Sequence, residues 1–237
     1  MRCADVLYVL RYWPTVSETF VAREIGELQR QGVRVAVLSL GTRADGALAD
    51  GLPEIDGLVA IDTKLYASVQ HLDRDNGWSR LDTGAIVEID CTTNTATTSW
   101  TVGQNPILWP HPMDATQLMV STAGTAGGLW AVDPTSGGKA TSLIANADEG
   151  LDQWYSIAAL SNGIAVGAAY DETWTDATYC FDLDGSAIET VYDVDSWKTS
   201  VSLSPTGEAW VAMRASWSAP ESPTGIAVMD IATCTDL

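Results

Sequence analysis

Gly128-Leu129-Trp130-Ala131-Val132-Asp133 is an apolar run closed by an aspartate. Its outline recurs in Ala85-Ile86-Val87-Glu88-Ile89-Asp90, Thr178-Tyr179-Cys180-Phe181-Asp182 and Gly225-Ile226-Ala227-Val228-Met229-Asp230, with the aspartates 43, 49 and 48 residues apart. Ahead of each run lies another strand-like segment: Leu65–Ser68, Leu118–Ser121, Ile164–Gly167 and Ala209–Ala212. The later repeats add a still earlier strand at Pro106–Trp109, Ser156–Leu160 and Ser200–Ser204, and the first three aspartates are followed by one at Ala96–Trp100, Ala140–Ile144 and Ala187–Tyr192. Some four strands in each unit of about 40–50 residues is the pattern of β-propeller blades. The repeating aspartate ends the third strand and opens a turn in which its carboxylate can accept backbone N–H groups. The expected blades are about 58–102, 103–147, 148–195 and 196–237, the last stopping after its third strand. The fold class is therefore mainly β, a partial propeller of about four four-stranded blades.

Charge and composition divide the chain at Gly57. The 237 residues carry a formal net charge of −19, with 12 Lys+Arg against 31 Asp+Glu. Residues 1–57 hold six arginines and eight acids, so nearly all of the excess belongs to 58–237, as do nine of the ten tryptophans. So acidic a chain repels phosphate, which argues against a nucleic-acid partner. Its 46% hydrophobic content argues against a disordered acidic tail. No run of 18 apolar residues is present, so no membrane span is expected.

The first 45 residues read differently. Ala4–Leu10 and Val33–Leu40 are short apolar runs suited to buried strands. Between them Val21, Ile25 and Leu28 form one stripe of a helix that opens near Ser17 and stops at Gly32. Strand, helix and strand make a short Rossmann-like β-α-β unit. The wording Pro14-Thr15-Val16-Ser17-Glu18-Thr19-Phe20-Val21-Ala22-Arg23-Glu24-Ile25 resembles the start of family 4 glycosyltransferases of the two-Rossmann-domain type. The resemblance implies an acceptor-domain fragment and carries over Ser17, Glu18 and Thr19 as first-loop residues; capping of a helix N-terminus explains the same three. The family's donor domain and its Glu-x7-Glu signature are missing. Residues 46–57, rich in Gly with Pro53, read as a linker. Two incomplete modules meeting near Gly57 read as a fusion.

Residues 58–237, with Lys64–Trp78 and Gly84–Asp90 as their clearest stretch, resemble propeller-repeat lipoproteins and cell-surface proteins of bacteria. That resemblance implies an exported protein and no catalytic motif. Yet no signal peptide precedes the first strand, so the chain as written is expected in the cytoplasm, with reduced thiols.

Candidate chemistry is sparse. His71 and His111, the two histidines, lack partner motifs and read as loop residues; no Gly-x-Ser-x-Gly turn or phosphate-cradling glycine loop occurs. The only enzyme the sequence points to is a glycosyltransferase, by its N-terminus alone. Cofactors are expected to be none, with calcium left open: Asp73-x-Asp75-Asn76-Gly77 is calcium-loop-like, but its glycine falls one position early and Gly84 stands where a closing Glu belongs. Cys91 and Cys234 both follow terminal aspartates and form a candidate disulfide; Cys180 reads as a small core residue. Trp78, Trp174 and Trp217 fall in loops, where they can stack on sugars or anchor a partner, or else pack at strand ends. Trp130 and Trp210 fall in strands and read as packing residues. The expected function is a non-enzymatic propeller-type binding module for an unknown protein or glycan, able to self-associate through open propeller edges. The alternative is a glycosyltransferase-related fragment, inactive alone.

Overall fold

The computed structural model describes residues 6–12, 25, 27–33, 35–41, 54–73, 79–80, 83–93, 95–186, 188–192, 196–215 and 220–236. The chain divides into two compact units, Met1–Thr101 and Val102–Leu237.

In the first unit β1 (Val6–Tyr12) and β2 (Val35–Gly41) pair in parallel, from Val6 against Val35 to Tyr12 against Gly41. Among the described residues this parallel sheet has two strands. Helical residues 25 and 27–30 lie between them in sequence, and Ile25 is buried. The helix ends as the sequence suggests. Gly32 takes φ +81°, its N–H donates to Gln29 O, and Val33 N–H donates to Leu28 O. That pair of bonds satisfies the last carbonyls around a left-handed glycine.

The same unit holds β3 (Glu54–Ile61), β4 (Lys64–Gln70), the two-residue strands β5 (Leu72–Asp73) and β6 (Ser79–Arg80), β7 (Thr83–Asp90) and the start of β8 (Thr95–Pro110), in the order β3-β4-β7-β8. Residues 54–57 of the expected linker belong to β3. Val59, Tyr66 and Ile86 on one face and Ala67, Val69 and Ile89 on the other are buried. Glu88 ties three strands together: its carboxylate receives Lys64 Nζ at 2.6 Å, Thr97 Oγ1 at 2.8 Å and Tyr66 OH at 3.2 Å. Burial acts to raise the Glu88 pKa, but these donors outweigh it and hold the carboxyl below its usual range. Burial, reinforced by Glu88, pushes the Tyr66 hydroxyl up to about 12.

The second unit contains the end of β8, β9 (Leu118–Ala123), β10 (Gly128–Asp133) and β11 (Lys139–Ala145), then β12 (Gln153–Ala159), β13 (Ile164–Tyr170), β14 (Asp176–Asp182) and β15 (Ile188–Tyr192), and last β16 (Ser196–Leu203), β17 (Glu208–Ala215), β18 (Gly225–Asp230) and β19 (Thr235–Asp236). The last two groups are antiparallel four-stranded sheets in chain order. Met119, Leu129 and Ile144 pack with Trp154, Ala165, Ala169 and Phe181 of the β12–β15 sheet. On that sheet's other face Ala158, Val166, Ala168 and Cys180 pack with Val201, Ala209, Val211, Ala227 and Met229 of the last sheet. Burial of such side chains stabilises by roughly 1.5–3 kcal/mol for each large one.

Three of the four repeated aspartates act as turn formers through their carboxylates, and in the turn after Asp182 that role falls to Asp184, whose Oδ1 accepts Ser186 N at 2.9 Å. Asp90 Oδ1 accepts Thr92 N and Thr92 Oγ1, both at 2.6 Å; Asp133 Oδ1 accepts Thr135 N at 2.8 Å and Thr135 Oγ1 at 2.7 Å; Asp230 Oδ1 accepts Ala232 N at 2.9 Å. Asp-x-Thr suits this role because hydroxyl and amide two residues on reach one carboxylate oxygen.

Three expectations need correction. The last group has a fourth strand, the short β19. Cys234 takes φ +56° in the turn Ile231–Cys234 and reverses the chain, so that Thr235–Asp236 pairs with Met229–Asp230. Cys234 is bonded to Cys180, not to Cys91; the two Cα atoms lie 5.8 Å apart, and Cys91 is itself disulfide-bonded. Sequence symmetry favoured two equivalent turn positions, whereas bonding requires the Cα atoms to lie within about 7 Å, which the packing of β14 against the last sheet supplies. Trp210 is not packed away: it is 46% exposed on the outer face of β17.

Candidate functional site

Among the described residues of the second unit the most exposed tryptophan is Trp174, 68% accessible on the turn between β13 and β14. The turn is made by Asp171, whose Oδ1 accepts Thr173 N at 2.8 Å, Thr173 Oγ1 at 2.7 Å and Thr175 N at 3.0 Å. Trp174 N–H donates to Asp171 O at 3.0 Å. Burial acts to raise the Asp171 pKa; the threonine hydroxyl and backbone N–H groups outweigh it and hold the carboxylate below its usual range. Inside this clasp Trp174 sits at φ +64°, a left-handed conformation that costs a non-glycine residue about 1–2 kcal/mol. Such a cost is characteristic of binding and catalytic positions.

The indole is held flat against the molecule. Its ring lies 4.8 Å from that of Tyr170 at an interplanar angle of 18°, and Tyr170 lies 5.7 Å from Tyr155 at 27°. Tyr170 OH donates to Gln153 Oε1 at 2.9 Å, and Gln153 Nε2 donates to Asn105 O at 2.6 Å. Tyr155 OH donates to Asp176 Oδ2 at 2.8 Å; burial first, then the Asp176 charge, push its pKa upward. Asp176 also accepts Lys198 N at 2.7 Å, and its Oδ1 lies 3.3 Å from Lys198 Nζ. An exposed ring is thus anchored, through two tyrosines, to a buried ion pair.

Beside the same turn is a cavity of about 320 Å³ whose walls include Asn146, Leu151, Glu172 and Thr173. Asn146 is fully buried, and its Nδ2 lies 3.0, 3.0 and 2.6 Å from the carbonyls of Thr122, Gly124 and Asp152. A second cavity of about 530 Å³ is apolar and lined by Trp109 of β8, Met119 of β9, Ile157 of β12 and Val201 and Leu203 of β16.

Of the residues the sequence singled out, Trp174 is on this platform. Ser17, Glu18, Thr19, Asp75, Trp78 and Trp217 lie outside the described residues, as does the side chain of Asp73, which is placed in β5. His111 is buried at the end of β8, where burial lowers its pKa, and its Nδ1 has no hydrogen-bond partner. Among the described residues no group of three or more His, Cys, Asp or Glu could hold a metal ion, and no helix is long and apolar enough to cross a membrane. Sequence reading missed Tyr170, Tyr155 and the Lys198–Asp176 pair. Tyr170 immediately precedes the Asp171-x-Thr173 clasp, which was its available signal.

No family model matches the chain, and no curated protein resembles it in sequence. Solved structures share its fold. Hydrazine synthase of Kuenenia stuttgartiensis is 16% identical over 82% of this chain and 51% of its own, with a TM-score of 0.55. TolB of Acinetobacter baumannii, a β-propeller protein, is 12% identical over 79% of this chain and 42% of its own, with a TM-score of 0.53. The chain spans about half the length of the structures it matches. At these identities the likeness concerns fold alone: a mainly β protein of several antiparallel sheets with propeller-like neighbours.

Proposed function

We propose that this protein is a non-enzymatic, propeller-like binding module whose ligand is a neutral carbohydrate seated on Trp174. The observation that carries this reading is an exposed indole, fixed in a left-handed turn and stacked on Tyr170. A rigid aromatic face offers large contact area at small entropic cost, and the C–H face of a pyranose is its flat apolar complement. The neighbouring cavity supplies Glu172 and Thr173 for hydroxyl groups at the sugar edge. A net charge of −19 disfavours anionic ligands. The test is an array of neutral oligosaccharides probed with the purified chain. A hit that Trp174→Ala removes supports the reading, and an array blank for the wild-type chain rejects it.

The parallel pairing of β1 with β2 around a helix favours a second reading for the first unit, a glycosyltransferase-related acceptor fragment that is inactive alone. Turnover of a nucleotide sugar by the purified chain, lost on Glu18→Ala, would overturn the non-enzymatic assignment.

A further inference from the structure

The last sheet repeats the one before it strand for strand. Aligned on Gly163 and Gly207 and on Asp182 and Asp230, Trp210 is the counterpart of Val166, Ala212 of Ala168, and Val228 of Cys180. The pairing agrees: Val166 stands opposite Cys180 and Trp210 opposite Val228, while Ala168 stands opposite Thr178 and Ala212 opposite Ile226. In the β12–β15 sheet all four of these positions are buried; Val166, Ala168 and Cys180 are covered by the sheet that follows. In the β16–β19 sheet the same face is open, with Trp210 46% and Ile226 64% exposed. Large apolar side chains clustered on an open sheet face mark an interaction surface.

We propose that this face is a dimerisation surface and that its occupant is a second copy of the chain. The charge layout on the face is self-complementary. Side chains alternate along a strand, so Glu208, Trp210, Ala212 and Arg214 of β17 share one side, and Glu208 stands opposite Asp230 of β18. The acidic pair therefore marks one end and Arg214 the other, its guanidinium 4.8 Å above the Trp197 ring. A two-fold axis lying in the interface and crossing the strands at Val211 exchanges the two ends. It sets Arg214 of one copy over the acidic Glu208–Asp230 end of the other, Trp210 over Ala212, and Val228 over Ile226. Large thus meets small and positive meets negative, as an isologous contact requires. The Glu208 carboxylate is already fixed there by Ser204 Oγ and Thr206 Oγ1, each at 2.6 Å. Packed in this way, two copies would stack sheet on sheet about 10 Å apart, as the inner sheets of a sandwich do.

Sedimentation equilibrium of the full chain in about 0.15 M salt, which screens its net charge beyond roughly 8 Å, tests the assignment. A reversible dimer is expected. Ile226→Glu and Trp210→Lys should each raise the dimer dissociation constant at least about 30-fold, the scale of a central interface residue, with circular dichroism and melting kept. Arg214→Glu should also disrupt the dimer, and adding Glu208→Lys to it should restore association, a result that misfolding cannot produce. A wild-type chain monomeric at all concentrations overturns the proposal and leaves the face to a different partner. A dimer indifferent to Trp210 and Ile226 overturns it as well and points to a strand edge.

Discussion

Lys198, with no solvent exposure, places its Nζ 3.3 Å from Asp176 Oδ1, and Asp176 in turn takes the hydroxyl hydrogen of Tyr155. The pair joins β16 to β14 and stands beneath the tyrosine stack that supports Trp174. Replacing Lys198 by methionine leaves the Asp176 carboxylate without this ammonium. Lys198→Met should therefore lower stability by about 3–5 kcal/mol in urea titrations. Adding Asp176→Asn to Lys198→Met should recover part of that loss, because it removes the carboxylate left without its cation. The clasp around Trp174 is local, so its threonine bonds should survive these changes while the tyrosine stack loosens.

Cys180 and Cys234 are 54 residues apart in sequence and join β14 to the turn before β19. Closing a loop of that length restricts the unfolded chain by about 4 kcal/mol in the loop-entropy treatment. Cys180→Ser with Cys234→Ser should shift the unfolding midpoint accordingly. It should also free β19 first, which protease cleavage after Ile231 would register. In a reducing cytoplasm this bond would be absent; in an oxidising compartment it would persist.

Acid should weaken the protein in a defined window. The carboxyls of Asp90, Asp114 and Asp133 are held below their usual range, first by the hydroxyls and then by the backbone N–H groups of Thr92, Thr116 and Thr135, and Glu88 is lowered by its own donors. A carboxyl with a depressed folded pKa contributes stability above its unfolded value, near 4, and loses it as pH falls through the folded one. Urea midpoints should thus be flat with respect to these groups from about pH 7 to 5 and decline below about 4. Thr92→Val and Thr135→Val, which remove the hydroxyl donors, should flatten that decline.

Much of the strand pattern was legible because many strands announce themselves locally: period-two alternation in β16, apolar runs in β10 and β14, and Asp-x-Thr turns after several strands. Asp90, Asp133 and Asp230 were therefore readable as turn residues before any contact was known. Long-range pairings carry no such signal. The partner of Cys234 depends on which strand of the neighbouring sheet passes within bonding distance. Lys198 looks like an ordinary surface residue until β16 is laid against β14. Trp174 was visible as a loop tryptophan, but its left-handed backbone and its stack on Tyr170 arise from the Asp171 clasp. Trp210 was misread because strand tryptophans are usually covered, and here the covering sheet has no counterpart among the described residues.

The most direct measurement of the central claim is a calorimetric titration of the oligosaccharide found on the array into the wild-type chain and into Trp174→Gly, with thermal melts of both. Glycine relieves the φ +64° conformation, so the variant should melt no lower than the wild type. It should nevertheless bind at least about 30-fold more weakly, the loss expected for a central aromatic contact. Equal affinity in the two proteins would contradict the assignment of Trp174 as the binding platform.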